Sequence, residues 1–341
     1  MSDSRSDYDV VIVGAGPAGC ATAIATAQAG LRTLLVERRD GASPRPGETL
    51  APGSEAIFDL LGVAKQVENF VTLRPRGIAV AWGGPATFQA FGPDGAGWAG
   101  YQLPRAWLDA ELRERAQACG AQLMHASVRN VKTLGGRVTG VAYGESQRRS
   151  DELTLSAAFV VDASGSRRLF ERALALRARA ASPRLIARYG YVTGTLADST
   201  PQLHATADEW SWIAQVGPRR IAWVRVGLKQ PAPLAPPAEL AQLPAAGRAR
   251  SEDVTWSCVD ECVGPGFVLV GDAASRLDPS SSHGVLKALM TGYRAGVSIA
   301  AIVRGEVHEQ QALEAYRSWL RSWFAHDCER LGALYARLAA A

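Results

Sequence analysis

Three glycines near the start of the chain are spaced as in a turn that binds a pyrophosphate. Gly14, Gly16 and Gly19 follow the apolar run 10–13 and open the alanine-rich segment 18–29. In such a turn the first glycine permits the bend, the second leaves room for the phosphate, and the third lets the helix pack closely on the strand. The phosphate then lies at the helix N-terminus, where free N–H groups and the helix dipole favour an anion.

Glu37 follows a second apolar run, 33–36, about 20 residues after the turn, where a carboxylate accepts hydrogen bonds from a ribose. Strand, glycines, helix, strand and acid in this order predict a βαβ unit that binds a dinucleotide. Two later segments, "FVVDASG" at 159–165 and "FVLVGDAA" at 267–274, are also apolar runs that stop at an acid or a glycine. Because the carboxyl ends of strands converge in doubly wound sheets, we expect one long ligand to contact all three segments.

The composition indicates a globular protein and argues against several classes of partner. The 341 residues exceed one average domain, and 47% hydrophobic residues suffice for a core. The net charge of +4 is small and the arginines are dispersed, so we expect no nucleic-acid partner. We find no signal-peptide pattern and no run of roughly 18 apolar residues, and therefore expect a cytoplasmic protein without membrane contact. The five cysteines match no disulfide or zinc spacing, and we expect no metal site.

The order of the elements predicts an α/β protein with a Rossmann-like dinucleotide-binding domain, an inserted antiparallel-sheet substrate region and C-terminal helices. The discontinuous dinucleotide-binding domain is predicted at residues 1–82, 100–182 and 250–305. The substrate-side sheet is predicted at residues 83–99 and 183–249, and a C-terminal helix at 306–341.

Motifs along nearly the whole chain carry a resemblance to a known family. They are "VIVGAGPAG", "LLVER", "PGETLAPG", "AVAWGG", "GYQLPRAWLDAEL", "VVDASGSRR" and "VLVGDAASRLDPSSSHGVLKALMTG", in the family's order. The sequence resembles the FAD-dependent oxidoreductases of the p-hydroxybenzoate hydroxylase fold. It is most similar to the branch that contains flavin-dependent halogenases, geranylgeranyl reductases and the flavoprotein monooxygenases that hydroxylate tryptophan residues while maturing quinone-cofactor enzymes. The resemblance implies that the Rossmann-like domain binds FAD.

The resemblance also implies which residues contact the cofactor. The adenosine is expected at Glu37, Arg38 and the backbone of Val128. Arg105 and Asp272 are expected at the ribityl and phosphate groups. The complete predicted set is Gly14, Gly16, Pro17, Ala18, Gly19, Glu37, Arg38, Glu48, Thr49, Arg105, Val128, Asp162, Gly165, Gly271, Asp272, Pro279, Gly284 and Val285.

The loop 279–285 is expected to pass the isoalloxazine ring, with the N–H groups of Gly284 and Val285 at its pyrimidine edge. His283 in this loop titrates near neutrality and is a candidate to deliver or accept a proton. Glu48 is a second catalytic candidate, and the alternative is a structural carboxylate that caps a helix. The family chemistry is a reaction of reduced flavin with oxygen to a hydroperoxide, which the protein shields and directs at the substrate.

Trp82, Trp210 and Trp212 lie on predicted strands of the inserted sheet, where we expect a wall for an aromatic guest, although core packing also explains such residues. We therefore predict an FAD-dependent monooxygenase that hydroxylates an aromatic substrate. A tryptophan or other indole, free or within a peptide or protein, is the first candidate. The electron source is NAD(P)H or a separate flavin reductase, and the sequence does not decide between them.

Two alternatives stay open at this point. Halogenases of the family have a G-W-x-W-x-I-P segment, and residues 209–215 read "EWSWIAQ", with both tryptophans but neither the glycine nor the proline. Their catalytic lysine falls in a segment that holds Arg74 and Arg76, and their glutamate falls on Ser281. Arginine does not release its proton as a lysine can. A flavin-dependent halogenase is therefore the second prediction, and a non-catalytic flavin-binding partner protein is the third.

Overall fold

The computed structural model describes residues 6–41, 46–92, 97–144 and 152–339, and the parts of the predicted domains at 1–5, 42–45, 93–96, 145–151 and 340–341 lie outside the described residues. The helices are α1 (Pro17–Gln28), α2 (Glu55–Leu61), α3 (Ala64–Phe70), α4 (Arg105–Ala118), α5 (Leu169–Ala173), α6 (Gly284–Val303) and α7 (Glu309–Ala339). The strands are β1 (Tyr8–Val13), β2 (Thr33–Glu37), β3 (Thr49–Leu50), β4 (Gly77–Trp82), β5 (Thr87–Ala90), β6 (Tyr101–Gln102), β7 (Gln122–His125), β8 (Ser127–Leu134), β9 (Arg137–Gly144), β10 (Leu153–Asp162), β11 (Ala178–Ala180), β12 (Ile186–Thr193), β13 (Gln202–Ala205), β14 (Glu209–Gly217), β15 (Arg220–Gly227), β16 (Arg250–Asp253), β17 (Ser257–Val259), β18 (Val263–Gly264), β19 (Phe267–Leu269) and β20 (Ser275–Arg276).

A parallel sheet forms the centre of the Rossmann-like region. β1 lies between β10 and β2, and β19 and β7 continue the sheet on either side, all in parallel. These strands are continuous apolar runs because both faces are covered, and Val10, Val11 and Ile12 are fully buried. Val13 is level with Asp162 on one side and Val36 on the other. The carboxyl ends of three strands therefore meet at one edge.

α1 and α6 cover this sheet and approach each other very closely. A Cβ on Gly292 of α6 would lie 2.1 Å from the carbonyl oxygen of Ala18 in α1, so only glycine fits there. By length and composition α6 is long and apolar enough to cross a membrane, although we predict no such segment from the sequence. A core helix of a water-soluble protein has the same properties, and α6 packs on α1 in the core.

A second, mostly antiparallel sheet faces the first region. Its order is β16-β12-β15-β14-β13-β4-β5, with β13 and β4 parallel. Tyr189, Val224 and Trp212 are neighbours across three of its strands, and we call the side that they share the inner face. Trp223 and Ile213 lie on the opposite face and pack on Leu240. The sheet includes β4 and β16, from segments that the sequence assigns to the dinucleotide-binding domain, because pairing between distant segments leaves no trace in local periodicity.

α7 contacts both regions. Tyr316 near its start donates a hydrogen bond to the carbonyl oxygen of Leu269, 2.9 Å away, at the end of β19. Leu331 and Tyr335 near its end pack on the inner face of the antiparallel sheet. The protein is thus a mixed α/β protein with a Rossmann-like parallel sheet, an antiparallel sheet and C-terminal helices, which confirms the predicted fold class.

Candidate functional site

A cavity of about 970 Å³ extends from the carboxyl edge of the parallel sheet to the inner face of the antiparallel sheet. This volume is near the upper end of the roughly 300–1,000 Å³ typical of small-molecule sites, so it suits a long ligand. Most of the predicted cofactor-binding residues lie in its wall: Gly14, Gly16, Pro17, Ala18, Glu37, Arg38, Thr49, Arg105, Val128, Gly165, Gly271, Asp272, Pro279, Gly284 and Val285.

The glycine turn forms a cradle at the N-terminus of α1. Gly14 has a φ of +107°, and a Cβ there would lie 2.5 Å from the carbonyl oxygen of Ala163. A Cβ on Gly19 would lie 1.9 Å from the carbonyl oxygen of Gly14, so Gly19 serves helix packing and lies outside the cavity wall. A Cβ on Gly16 would meet no described atom within 4 Å. Bare backbone at Gly16 therefore faces open space where a pyrophosphate fits.

The adenosine end of the cavity is marked by Glu37. Its Oε2 accepts a hydrogen bond from the backbone N–H of Ala15 at 2.8 Å, and its Oε1 accepts one from that of Arg39 at 2.9 Å. An ionised carboxylate has about four acceptor positions, so Glu37 retains capacity for ribose hydroxyls. The carbonyl of Val128 accepts a hydrogen bond from Arg167 Nη2 at 2.9 Å, which reduces its capacity to contact adenine.

Arg105 lies in the middle of the cavity, at the start of α4. Its Nε donates to Asp109 Oδ1 at 2.8 Å, and its Nη1 donates to the carbonyl of Pro46 at 2.9 Å. These contacts hold the guanidinium in place, and among the described contacts Nη2 remains to donate to an anion. Asp272 also lines this part, with a half-exposed side chain. This cation and this carboxylate suit the phosphate and ribityl hydroxyls of FAD.

The far end of the cavity is formed by the loop 279–285 and the N-terminus of α6. The first N–H groups of a helix have no partner within it, and the 20-residue α6 directs the positive end of its dipole at this point. His283, the N-cap residue, is half-buried in the cavity wall. Burial lowers its pKa, and the nearby carboxylate of Asp327 opposes this effect. This shift favours the neutral imidazole, which is able to accept a proton.

The structure corrects the predicted role of Asp162. This residue is fully buried and does not line the cavity. Its Oδ1 accepts the N–H of Ser164 at 2.9 Å, and its Oδ2 accepts the N–H of Phe170 at 2.8 Å. Because both oxygens accept N–H groups of the turn that follows β10, Asp162 fixes the backbone of that turn and lies outside the cavity wall.

Glu48 also lies behind the cavity wall. It is 4% exposed, its Oε1 accepts a hydrogen bond from the hydroxyl of Tyr191, and its Oε2 has no partner among the described residues. Burial raises its pKa. Neighbouring Thr49 does reach the cavity and donates to Gln102 Oε1 at 2.8 Å, while Gln102 Nε2 is buried without a described partner. Glu48 itself does not line the cavity, and its cofactor-binding and catalytic roles stay predictions.

Only one of the three predicted substrate tryptophans reaches the cavity. Trp212 lines it, beside Tyr189, which the sequence analysis did not identify. Trp210 is fully buried and donates its Nε1–H to the hydroxyl of Tyr335 at 2.7 Å. Trp82 donates its Nε1–H to the carbonyl of Leu334 at 2.7 Å. The roles of Trp82 and Trp210 are corrected, because α7 covers their part of the sheet.

A glycine cradle at a helix N-terminus, a carboxylate after the second strand and a helix directed at the end of a long cavity define a dinucleotide-binding flavoprotein. Residues 7–263 match the FAD-binding domain family, and the chain belongs to that family.

Relatives with known activities fall into several reaction classes. The chain is 26% identical to a 1H-pyrrole-2-carbonyl-[peptidyl-carrier protein] brominase from Pseudoalteromonas luteoviolacea, over 94% of the chain and 83% of that protein. It is 28% identical to a menaquinone reductase from Mycolicibacterium smegmatis, over 83% of the chain and 74% of that protein. The solved structure of the myxobacterial chondrochloren halogenase has a TM-score of 0.84 and 25% identity, over 96% of the chain and 82% of that structure. The chain is therefore an FAD-dependent oxidoreductase, and its relatives include both halogenases and reductases.

Proposed function

We propose that the protein is an FAD-dependent monooxygenase that adds a hydroxyl group to an aromatic substrate. The first candidate is a tryptophan or other indole, free or within a peptide or protein. The observation that supports this proposal is the aromatic end of the cavity, where Tyr189, Trp212 and Val224 line the same space as the loop 279–285. Aromatic and aliphatic walls favour a flat apolar guest. The cavity is continuous with the dinucleotide site, so substrate and cofactor are in reach of each other.

Different residues of the cavity wall would bind the cofactor, accept a proton and exclude water. When bound, reduced FAD would be the group that reacts with dioxygen. Gly16 and Arg105 hold the cofactor's phosphate region, and the N-terminus of α6 stabilises negative charge at the far end. The neutral imidazole of His283 accepts the proton that leaves the substituted aromatic carbon. The apolar wall at Trp212 and Val224 limits the access of water.

The basic residues near the aromatic end favour oxygen transfer over halogen transfer. Lys287 is the only lysine among the described residues that line the cavity. Its Nζ donates to the carbonyl of Ser275 at 2.7 Å and lies 3.7 Å from Asp272 Oδ1. Arg74, in the segment where halogenases keep their lysine, is paired with Glu68 and lies over the Tyr101 ring at 4.0 Å. Among the described residues of the wall, none therefore presents an unengaged amine to an aromatic guest.

Halogenation is the second candidate, and the brominase and the chondrochloren halogenase among the relatives favour it. In that case Lys287 is the amine to consider, because burial lowers its pKa and so favours the neutral, nucleophilic form. A Lys287→Met variant that still binds FAD separates the two candidates, since it removes the amine and keeps an unbranched side chain.

The experiment is mass spectrometry of products formed with isotopically labelled dioxygen, with and without chloride or bromide. Free tryptophan and tryptophan-containing peptides are the substrates, and NADH, NADPH and a flavin reductase are tested in parallel as electron sources. Hydroxylation predicts one labelled oxygen atom in the product and no effect of halide. A halide-containing product that is lost in Lys287→Met would establish the second candidate. Absence of oxygen consumption after reduction of bound FAD would point to a non-catalytic flavin-binding protein.

A further inference from the structure

The carboxylate of Asp278 anchors the loop that forms the far end of the cavity. The side chain is 1% exposed. Its Oδ1 accepts hydrogen bonds from the backbone N–H of Ser280, at 2.8 Å, and from the Ser280 hydroxyl. Its Oδ2 accepts hydrogen bonds from Trp256 Nε1 and from the hydroxyl of Tyr335, the latter at 3.0 Å. Both oxygens are thus fully engaged, one by the loop and one by surrounding aromatic side chains.

Tyr335 connects this anchor to α7 and to the antiparallel sheet. Its hydroxyl accepts the Nε1–H of Trp210 at 2.7 Å and donates to Asp278, so the donors follow one direction from the sheet to the loop. The Tyr335 ring also makes edge contacts with Trp256 and Trp82, at centroid distances of 5.4 and 5.7 Å. A ring held on several sides has little freedom to move, and its hydroxyl is a fixed donor.

The loop needs such an anchor because its backbone is strained. Ser282 has a φ of +56°, in the left-handed region that residues other than glycine rarely adopt. A backbone of this kind persists only where surrounding contacts determine it. The contacts of Asp278 are four residues before Ser282, at the start of the same loop, and His283 and Gly284 follow directly. The position of the N–H groups at the start of α6 therefore depends on the Asp278 anchor.

We propose that Tyr335 is a positioning residue for the flavin: through Asp278 it sets the place of the loop 279–285 against the isoalloxazine ring. This rests on the proposed location of the ring beside that loop. The C-terminal helix, which lies beyond the family match at 7–263, thereby becomes part of the cofactor site. Trp210 of the antiparallel sheet and Trp256, which lies between β16 and β17, share in the same network, so these buried tryptophans have a function other than substrate contact.

Tyr335→Phe tests the proposal, because it removes only the hydroxyl. Tyr316→Phe is a matched control: it lies on the same helix, is 1% exposed, and loses a hydrogen bond to the backbone carbonyl of Leu269, which lies outside the cavity wall. Each variant is purified with FAD. The measurements are the FAD dissociation constant, the visible absorption spectrum of bound flavin and its midpoint potential. None of them requires a known substrate.

We expect Tyr335→Phe to raise the FAD dissociation constant about tenfold and to shift the spectrum and the potential, because Asp278 Oδ2 loses one of its two hydrogen bonds. Tyr316→Phe should lower the melting temperature similarly without these changes. Equal flavin properties in both variants and the wild type would make Tyr335 merely structural. Should Tyr335→Phe fail to fold, Trp210→Phe removes the donor to its hydroxyl and must give the same flavin changes. Bound flavin without hydroxylated product would refute the proposed reaction and leave this inference standing.

Discussion

Replacement of Gly16 by valine separates cofactor binding from folding. Gly16 is the N-cap of α1 with φ −81° and ψ −176°, an extended conformation that valine adopts readily. No described atom lies within 4 Å of a Cβ placed there. Gly14 and Gly19 differ, because a Cβ on either would lie within 2.5 Å of a backbone oxygen. Of the three glycines of the turn, only Gly16 accepts a side chain without a clash.

The expected magnitudes follow from this geometry. At an N-cap valine is less favourable than glycine by roughly 0.5–1 kcal/mol, and loss of glycine's freedom in the unfolded chain returns about 0.4–1 kcal/mol. The free energy of unfolding of the apoprotein should therefore change by less than about 1 kcal/mol. A displaced pyrophosphate loses about two charge-assisted hydrogen bonds, worth roughly 3–6 kcal/mol together. The FAD dissociation constant should rise by about 10²–10⁴-fold.

The assay is titration of apoprotein with FAD, followed by quenching of flavin fluorescence, together with thermal unfolding of the apoprotein. Gly84→Val is the control, because a Cβ at Gly84 also meets no described atom within 4 Å and Gly84 lies outside the cavity wall. It should bind FAD like the wild type. Normal FAD affinity in Gly16→Val would show that the pyrophosphate does not lie at α1. Unfolding of its apoprotein would refute the open geometry at Gly16.

Three further predictions concern carboxylates and the histidine. Glu37→Ala should weaken FAD by about 1–3 kcal/mol in the same titration, and unchanged affinity would remove the ribose assignment. Because burial lowers the pKa of His283, the acid limb of the wild-type rate profile should lie below pH 6.5, and His283→Gln should abolish that limb; an unaltered limb would exclude His283 as the base. Burial raises the pKa of Glu48. The free energy of unfolding therefore falls as the pH rises from the ordinary pKa of a glutamate to the raised pKa of the folded protein. In thermal unfolding, the melting temperature of Glu48→Gln should rise relative to that of the wild type as the pH increases. A difference between the two melting temperatures that does not change with pH would contradict this.

The nucleotide end of the site could be predicted from the sequence because its information is local. Gly14, Gly16 and Gly19 and the acid at Glu37 belong to one βαβ unit, in which the spacing alone brings them together. The structure adds the distances behind the division of labour that the spacing predicts for the glycines. Gly19 makes helix packing possible, and Gly16 leaves space for the ligand.

Acids at the ends of strands could not be told apart by sequence. Asp162 and Asp272 both follow an apolar run, and both are predicted to contact the cofactor. Asp162 is directed back into its own turn, where Ser164 and Phe170 supply two N–H groups, whereas the Asp272 side chain is half-exposed in the cavity. The direction of a short side chain depends on the backbone of the following turn, and the residue types do not specify that backbone.

Two of the three predicted substrate tryptophans, Trp82 and Trp210, do not reach the cavity for a related reason. Trp210 and Trp212 alternate correctly onto one face of β14, but a helix far along the chain decides which part of that face stays open. No local pattern indicates that Tyr335 reaches across to Trp210. Asp278 did carry a signal, because an aspartate before a proline is typical of an N-cap, and its side chain does accept the N–H of Ser280.

Hydroxylation and halogenation require different side chains in the cavity: a proton acceptor for the first and a free amine for the second. Halogen transfer through an amine requires a nitrogen free to react, and the Nζ of Lys287 is engaged by the carbonyl of Ser275 and attracted by Asp272. Oxygen transfer requires a proton acceptor at the substrate end, and the neutral His283 supplies one in the cavity wall. Relatives at this level of identity share a fold that serves several chemistries, so their activities do not outweigh the side chains of this site. We therefore keep hydroxylation as the first proposal and halogenation as the second, and the state of the Lys287 amine is the point on which the choice depends.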